Sequence, residues 1–239
     1  MVLLILIRKK YLQAAVWCAL VLLLPWVLRV PTPQPVFSPV TAADPAVIID
    51  PGHGGEDGGA VAADGSAESS INLSIAHRLQ EVLLLLGTES AMTREGEGSV
   101  ASPDAETLRE KKRTDLENRV AFVNQHPNAV LLSIHQNSLP SVPSVHGAQA
   151  FYGTAQGSAE LAELIQECLN RSVNTDKTKN CKAIDPSIYL MKHAKCPAVL
   201  LECGFMSNPE EVKLLQEDSH QTRLAISIAA GFLQWQNST

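Results

Sequence analysis

The sequence has few basic residues and no internal repeat. Its 239 residues include 19 Lys and Arg against 25 Asp and Glu, which gives a formal net charge of -6. Because a nucleic-acid duplex demands a basic surface, this balance gives no reason to expect nucleic-acid binding. The length suits one main domain with an appendage.

Cysteine is also sparse, and none of the five forms a CxxC pair. Apart from Cys18, they stand at Cys168, Cys181, Cys196 and Cys203. These irregular spacings exclude a zinc ribbon and a disulfide scaffold. We interpret the four as buried free thiols, because free cysteine is among the most buried residue types. The alternative is one disulfide, Cys168 to Cys181 or Cys196 to Cys203.

The N-terminus resembles a membrane segment. The basic triplet Arg8 to Lys10 precedes a largely apolar run from Tyr11 to Val30. About 20 such residues cross a bilayer as a helix, with the cations on the cytoplasmic side. Residues 1–30 are therefore predicted to be a transmembrane helix that leaves the rest of the chain outside. A signal peptide cleaved near Val40 to Ala42 is the alternative, disfavoured because that site lies far beyond the apolar run.

Residues 31–45 include five prolines. Such a composition predicts a stiff, extended linker that cannot bury a core. The folded domain is therefore expected to span residues 46–239.

Within that domain, apolar runs that predict strands alternate with apolar stripes at helical spacing. The predicted strands are Val47–Asp50, Ser90–Thr93, Ala129–Ile134, Gly147–Tyr152 and Ala198–Glu202. Helices are predicted over Ile71–Leu86, around Leu116 to Val123, around Leu161 to Leu169, from the Asn208 cap onward, and around Leu224 to Phe232. This alternation predicts an α/β domain whose mainly parallel, mixed sheet carries helices on both faces. The polar segment Arg94 to Arg113 is predicted to be a long surface loop.

Three of these strands run into polar residues that a core strand does not need. The first ends at Asp50 and continues into a glycine-rich turn around His53, another ends before His135, and a third ends at Glu202. In open α/β sheets, ligands bind beyond the carboxyl ends of the strands. If the strands are parallel, two imidazoles and a carboxylate converge at one edge, which predicts a metal site.

Catalytic zinc takes about three protein ligands and one water, so a third ligand is needed. Glu68 is the best candidate, because it precedes the first predicted helix within reach of His53. Two imidazoles and one carboxylate leave a net charge of +1, which lowers the pKa of bound water to roughly 7. Glu202 is then the expected general base. Asp50 either accepts a hydrogen bond from the His53 ring or simply ends its strand.

Each of these residues alone has a structural explanation. A histidine at a strand end is usually a hydrogen-bonded structural residue, and Glu68 could simply favour a helix start through the helix dipole. The set supports a metal site, whereas no single member does. The remaining histidines have no comparable setting and are expected to be structural or exposed; they are His77, His126, His146, His193 and His220.

The same segments resemble the zinc-dependent N-acetylmuramoyl-L-alanine amidases. They are IIDPGHGGEDGGA from Ile48, Glu68 with Asn72-Leu73 after it, SIHQNS from Ser133, and LLECGFMSNPEE from Leu200. They occur in the family's order and span about Ala46 to Trp235. The resemblance implies a hydrolase that cuts the amide between the lactyl group of N-acetylmuramic acid and the L-alanine of the peptidoglycan stem peptide.

The family pattern also implies roles for individual residues. It makes His53, Glu68 and His135 the ligands of one zinc ion and Glu202 the catalytic carboxylate. It makes Asn137 a substrate contact and Arg119 a structural support.

A short N-terminal anchor without wall-binding repeats resembles the spore-cortex amidases of endospore-forming bacteria. That likeness implies removal of stem peptides for muramic δ-lactam formation, which supports germination. The domain would lie on the extracytoplasmic side of the sporulating cell's membrane, or be secreted if cleaved, and could act with an accessory sporulation protein. The alternatives are a wall-binding module that keeps the metal without activity, which the intact Glu202 disfavours, and a peptidoglycan deacetylase or peptidase.

Overall fold

A computed structural model of the chain describes residues 46–238. The expected membrane segment (residues 1–30) and the proline-rich linker (31–45) lie outside the described residues. Within residues 46–238, no helix has both the length and the hydropathy that a membrane span requires.

The described residues form an α/β fold around one six-stranded mixed sheet, as predicted. Its strands are β1 Val47–Pro51, β2 Ser90–Met92, β3 Val130–Asn137, β4 Gln149–Tyr152, β5 Lys182–Ala183 and β6 Ala198–Phe205. Their order in the sheet is β2-β1-β3-β6-β4-β5. The four strands from β2 to β6 are parallel, whereas β4 runs antiparallel to β6.

Helices cover both faces of this sheet. They are α1 Glu68–Leu85, α2 Leu108–Asn124, α3 Ser158–Ser172, α4 Tyr189–His193, α5 Pro209–Leu215 and α6 Asp218–Gln236. Because successive strand residues point to opposite faces, Ile49 and Leu132 pack with α1, α3 and α6, whereas Ile48 and Leu131 pack with α2 and α4. The sequence prediction of two covered faces is confirmed.

The predicted surface loop from Arg94 to Arg113 is wrong at both ends. Helix α2 already begins at Leu108, where Thr107 and Glu110 form a reciprocal capping box. The helix marked by Leu116, Val120 and Val123 is confirmed, but its first two turns carry almost no apolar residues, so its start at Leu108 was not predicted. Arg94 is only 4% exposed and belongs to the interior.

Two elements, β5 and α4, were not predicted, because two and five residues are too short to show a period. The four cysteines within the described residues are free thiols, as expected, and all are buried except Cys181, which is half-buried.

The topology places the functional strand ends side by side. Strand β3 lies between β1 and β6, and all three run in the same direction. Asp50 on β1 is in register with Ser133 on β3, and His135 on β3 is in register with Glu202 on β6. The strand ends predicted to carry the chemistry therefore meet at one edge of the sheet.

Candidate metal centre and active site

His53 lies in the loop after β1, residues 52–59, which we call the His53 loop. Its φ of 62° places it in the left-handed region, and it is the one non-glycine residue of the described chain with positive φ. Such a backbone costs about 1–3 kcal/mol and persists only where the surroundings enforce it. Arg119 supplies part of that enforcement, because its Nη2 donates to the His53 carbonyl at 2.6 Å.

Two glycines of this loop are required because neighbouring side chains lie too close to leave room for a Cβ atom. A Cβ at Gly52 would lie 2.2 Å from the Cε1 and Nε2 atoms of His135. A Cβ at Gly59, where φ is 70°, would lie 2.5 Å from Glu68 Oε2 and 2.8 Å from His53 Cδ2. The sequence therefore keeps this space for the two imidazoles and the carboxylate.

His53, Glu68 and His135 come together as the sequence predicted. Glu68 Oε1 lies 3.0 Å from His135 Nδ1 and 3.4 Å from His53 Nε2. One ligand atom from each residue lies within 4.8 Å of the others. Ligands about 2.1 Å from a tetrahedral zinc ion would be roughly 3.4 Å apart. The donor set and its spacing therefore fit a zinc ion with one position left open.

Glu68 is the first residue of α1 and is held firmly from several directions. Its Oε1 accepts the backbone N–H of Gln136 at 3.0 Å, and its Oε2 accepts that of Ala60 at 2.9 Å. Burial alone would raise the pKa of Glu68, but the interactions with His135 and His53 outweigh it and hold the pKa far below the usual value. The side chain is thus a fixed carboxylate that points at both imidazoles.

Glu202 is the fourth polar residue at this edge. Its Oε2 atom is shielded from solvent and has no hydrogen-bond partner among residues 46–238. Burial raises the pKa of Glu202 to about 7. A carboxyl group with that pKa can take up a proton and give it away at neutral pH.

Asp50 does not hold the His53 ring, so that alternative for its role is corrected. Its carboxylate accepts from Arg119 Nη1, Thr93 Oγ1 and Ser133 Oγ, each at 2.7 Å. The carboxylate that contacts the Nδ1 side of the ring is that of Asp57, whose Oδ2 lies 3.1 Å from His53 Nδ1. Asp50 is connected to His53 through Arg119, which donates to both the Asp50 carboxylate and the His53 carbonyl.

Sequence analysis missed Asp57 and Arg94. Arg94 donates from Nε to the carbonyl of Pro51 and from Nη2 to the carbonyls of Gly52 and Ser69. It thereby ties the His53 loop to α1. The one available signal for Asp57 was its place four residues after His53, whereas Arg94 stood in a segment whose polarity indicated a surface. Arg119 holds the Asp50 carboxylate and the His53 backbone, as expected of a structural support.

Asn137 lies two residues beyond His135 at the end of β3, and its Oδ1 accepts the N–H of Ser138 at 2.8 Å. It is not among the residues that line the cavity around the metal cluster. A contact between Asn137 and substrate therefore stays a prediction. The five other histidines of the described residues take no part in the cluster, as expected.

The cluster opens into a cavity of about 330 Å³ that His53, His135 and Glu202 line. Its walls come from α2, through Lys112 and Leu116, and from the start of α4 and the residue before it. The site is therefore a cleft on the face of the sheet that carries α2 and α4.

Residues 47–234 match the family model described as N-acetylmuramoyl-L-alanine amidase. The chain belongs to the N-acetylmuramoyl-L-alanine amidase family. Members of this family hydrolyse the amide bond of peptidoglycan, so the chain is a hydrolase of that class. Zinc dependence is typical of these amidases.

Individual amidases show how far the similarity extends. The germination-specific N-acetylmuramoyl-L-alanine amidase of Bacillus subtilis is 36% identical over 190 residues, which cover 79% of this chain and 78% of that protein. AmiA of Escherichia coli is 27% identical over 232 residues, which cover 79% and 75%. The CwlD amidase from Clostridioides difficile, solved in complex with the GerS lipoprotein, superposes with a TM-score of 0.77 at 36% identity, covering 82% of this chain and 100% of CwlD.

Proposed function

We propose that this amidase is zinc-dependent and that it cuts the bond between N-acetylmuramic acid and the L-alanine of the stem peptide. The observation that carries the proposal is the convergence of His53, Glu68 and His135 beside Glu202. These three residues would hold the ion. A zinc ion bound there would polarise the amide carbonyl and lower the pKa of a water molecule to roughly 7.

Glu202 acts as the general base. Its Oε2 atom has no hydrogen-bond partner among the described residues, so it can accept the proton of the attacking water. With a pKa of about 7, it can then return that proton to the amine that leaves with L-alanine. A single carboxyl group thus serves both halves of the hydrolysis.

Other residues orient this machinery. Asp57 fixes the His53 ring through Nδ1, and Arg119 fixes the backbone of the same residue. Asn137 is proposed to contact the substrate from the end of β3, after its Oδ1 gives up the hydrogen bond from the Ser138 N–H.

The cellular role is proposed from the relatives. The B. subtilis relative is named germination-specific, which supports a role in spore-cortex maturation, δ-lactam formation and germination. We place the domain on the extracytoplasmic side, anchored by residues 1–30. The solved complex of CwlD with a lipoprotein supports an accessory sporulation protein as a partner.

Mass spectrometry of muropeptides after incubation with the zinc-loaded domain tests this proposal. The expected products are intact stem peptides and glycan strands with bare lactyl groups. Release of acetate would indicate a deacetylase, and cut cross-links would indicate a peptidase. Zinc-bound protein that binds wall fragments and cleaves none, even with its partner protein, would make it a binding module.

A further inference from the structure

A second cavity, of about 290 Å³, adjoins the active-site cleft between α2 and α4. It is lined by Arg109, Lys112, Arg113, Leu116 and Tyr189. Lys112, Leu116 and Tyr189 also line the cleft that contains Glu202. The two cavities therefore adjoin along a shared wall, and we call the pair the α2–α4 groove.

Helix geometry explains the composition of this groove. Arg109, Lys112, Arg113 and Leu116 are spaced by three, four and seven residues, so they lie on one face of α2. Across the groove, the Tyr189 ring is held against His193, with their ring centroids 4.2 Å apart. The walls are apolar because the arginine and lysine stems lie along them while their charged ends reach water.

The rim of the α2–α4 groove is cationic. Lys112 is already engaged, since its Nζ lies 3.1 Å from Asp57 Oδ2. Arg113 pairs with Glu117 at 3.0 Å, an exposed pair of small energetic value. Arg109 has no ion-pair partner within the described residues. Arg109 is thus available to an anionic ligand, and Arg113 can join it by exchanging its exposed pair with Glu117.

We propose that the α2–α4 groove binds the stem peptide, with Arg109 and Arg113 pairing with its free carboxylates. This inference rests on the proposed amidase function, which requires a peptide to leave the cleft on one side of the scissile amide. Guanidinium groups match carboxylates in geometry and charge. A neutral, hydroxyl-rich glycan has no such match with an apolar groove ringed by cations.

The dimensions of α2 indicate which carboxylate is read. Arg109 lies three residues along α2 from Lys112, which borders the cleft, and this spacing is roughly 4.5 Å along the helix axis. An extended peptide advances about 3.3 Å per residue. With L-alanine placed beside Lys112, the carboxylate that meets Arg109 is carried one to two residues further along the peptide.

The test compares the double variant Arg109→Ala/Arg113→Ala with wild type on two synthetic muropeptides. One keeps the free carboxylate on the residue after L-alanine, and the other has it amidated. Loss of the arginines should raise KM for the free acid about tenfold, because a charged hydrogen bond is lost, and should leave kcat and the amidated substrate nearly unchanged. Arg171→Ala is the matched control, because Arg171 forms an exposed i,i+4 pair with Glu167 on α3.

Equal KM for both substrates in wild type, or an equal effect of the double variant on both, would overturn the proposal. Calorimetric binding of the free stem peptide supplies a readout that does not depend on cleavage. Peptide binding that the double variant weakens, in a protein that cleaves neither muropeptide, would support the groove while refuting the amidase function. Peptide binding that the double variant leaves intact would refute the groove.

Discussion

His53 Nδ1 lies 3.1 Å from Asp57 Oδ2, on the side of the ring opposite the Nε2 atom that faces Glu68. Lys112 Nζ contacts the same Asp57 oxygen at 3.1 Å. Burial raises the pKa of Asp57, but its bonds with His53 and Lys112 outweigh burial and lower it. A charged Asp57 keeps the proton on Nδ1, which leaves Nε2 free to bind a metal ion.

Asp57→Asn should therefore weaken zinc binding by about 10- to 100-fold, the usual cost of losing such a partner. Competition with a chromogenic chelator measures the affinity. Glu56→Gln is the control, because the neighbouring Glu56 pairs with Lys111 and does not contact His53. Equal zinc affinity of Asp57→Asn and wild type would show that the ring needs no such support.

Gly52→Ala should displace the His135 ring, since the new Cβ would lie 2.2 Å from it. A displacement of about 1 Å in the site costs roughly 10²-fold in hydrolysis rate. Gly58→Ala is a matched control, because its Cβ would meet nothing closer than 3.7 Å. Steady-state hydrolysis and a crystal structure of the variant check this. An unshifted His135 with full activity would contradict the packing argument.

Asp50→Asn should destabilise the fold by up to about 3–5 kcal/mol, because it removes one of the two carboxylates that neutralise the buried Arg119 and leaves only Asp115. Although burial alone would raise the pKa of Asp50, Arg119, Ser133 and Thr93 lower it below 3.8. The folded state then binds fewer protons than the unfolded state, so this stabilisation is complete above about pH 4 and is lost as pH falls through the folded pKa.

Denaturant unfolding of wild type and Asp50→Asn between about pH 3 and 7 tests both statements. The variant should lose less stability on acidification than wild type does. Asp218→Asn provides the control, because Asp218 is 88% exposed in its pair with Arg78. Parallel pH profiles for wild type and Asp50→Asn would refute the buried pair as a source of acid sensitivity.

The sequence predicted the parts of the site that depend on strand direction. His53, His135 and Glu202 follow apolar runs that are unmistakable as strands, and the parallel order brings their ends together. Glu68 could be placed because it begins an amphipathic helix close to His53 in the chain.

What the sequence did not predict depends on contacts between distant segments. Arg94 bonds the Pro51 carbonyl 43 residues away, and its polar surroundings in the chain suggested a surface loop. Asp57 contacts the His53 ring only because the glycines of the His53 loop allow the loop to fold back on itself. The α2–α4 groove could not be predicted for a similar reason, since a run of basic residues in a sequence normally indicates a solvated helix face.

The rate of stem-peptide release by Glu202→Gln tests the central claim most directly. The variant should bind as much zinc as wild type, because Glu202 is not one of the three ligands, and should release stem peptides from purified peptidoglycan about 10²-fold more slowly or worse. Glu160→Gln, an exposed change on α3, should leave both quantities unchanged. An undiminished release rate in Glu202→Gln would contradict the assignment of Glu202 as the general base.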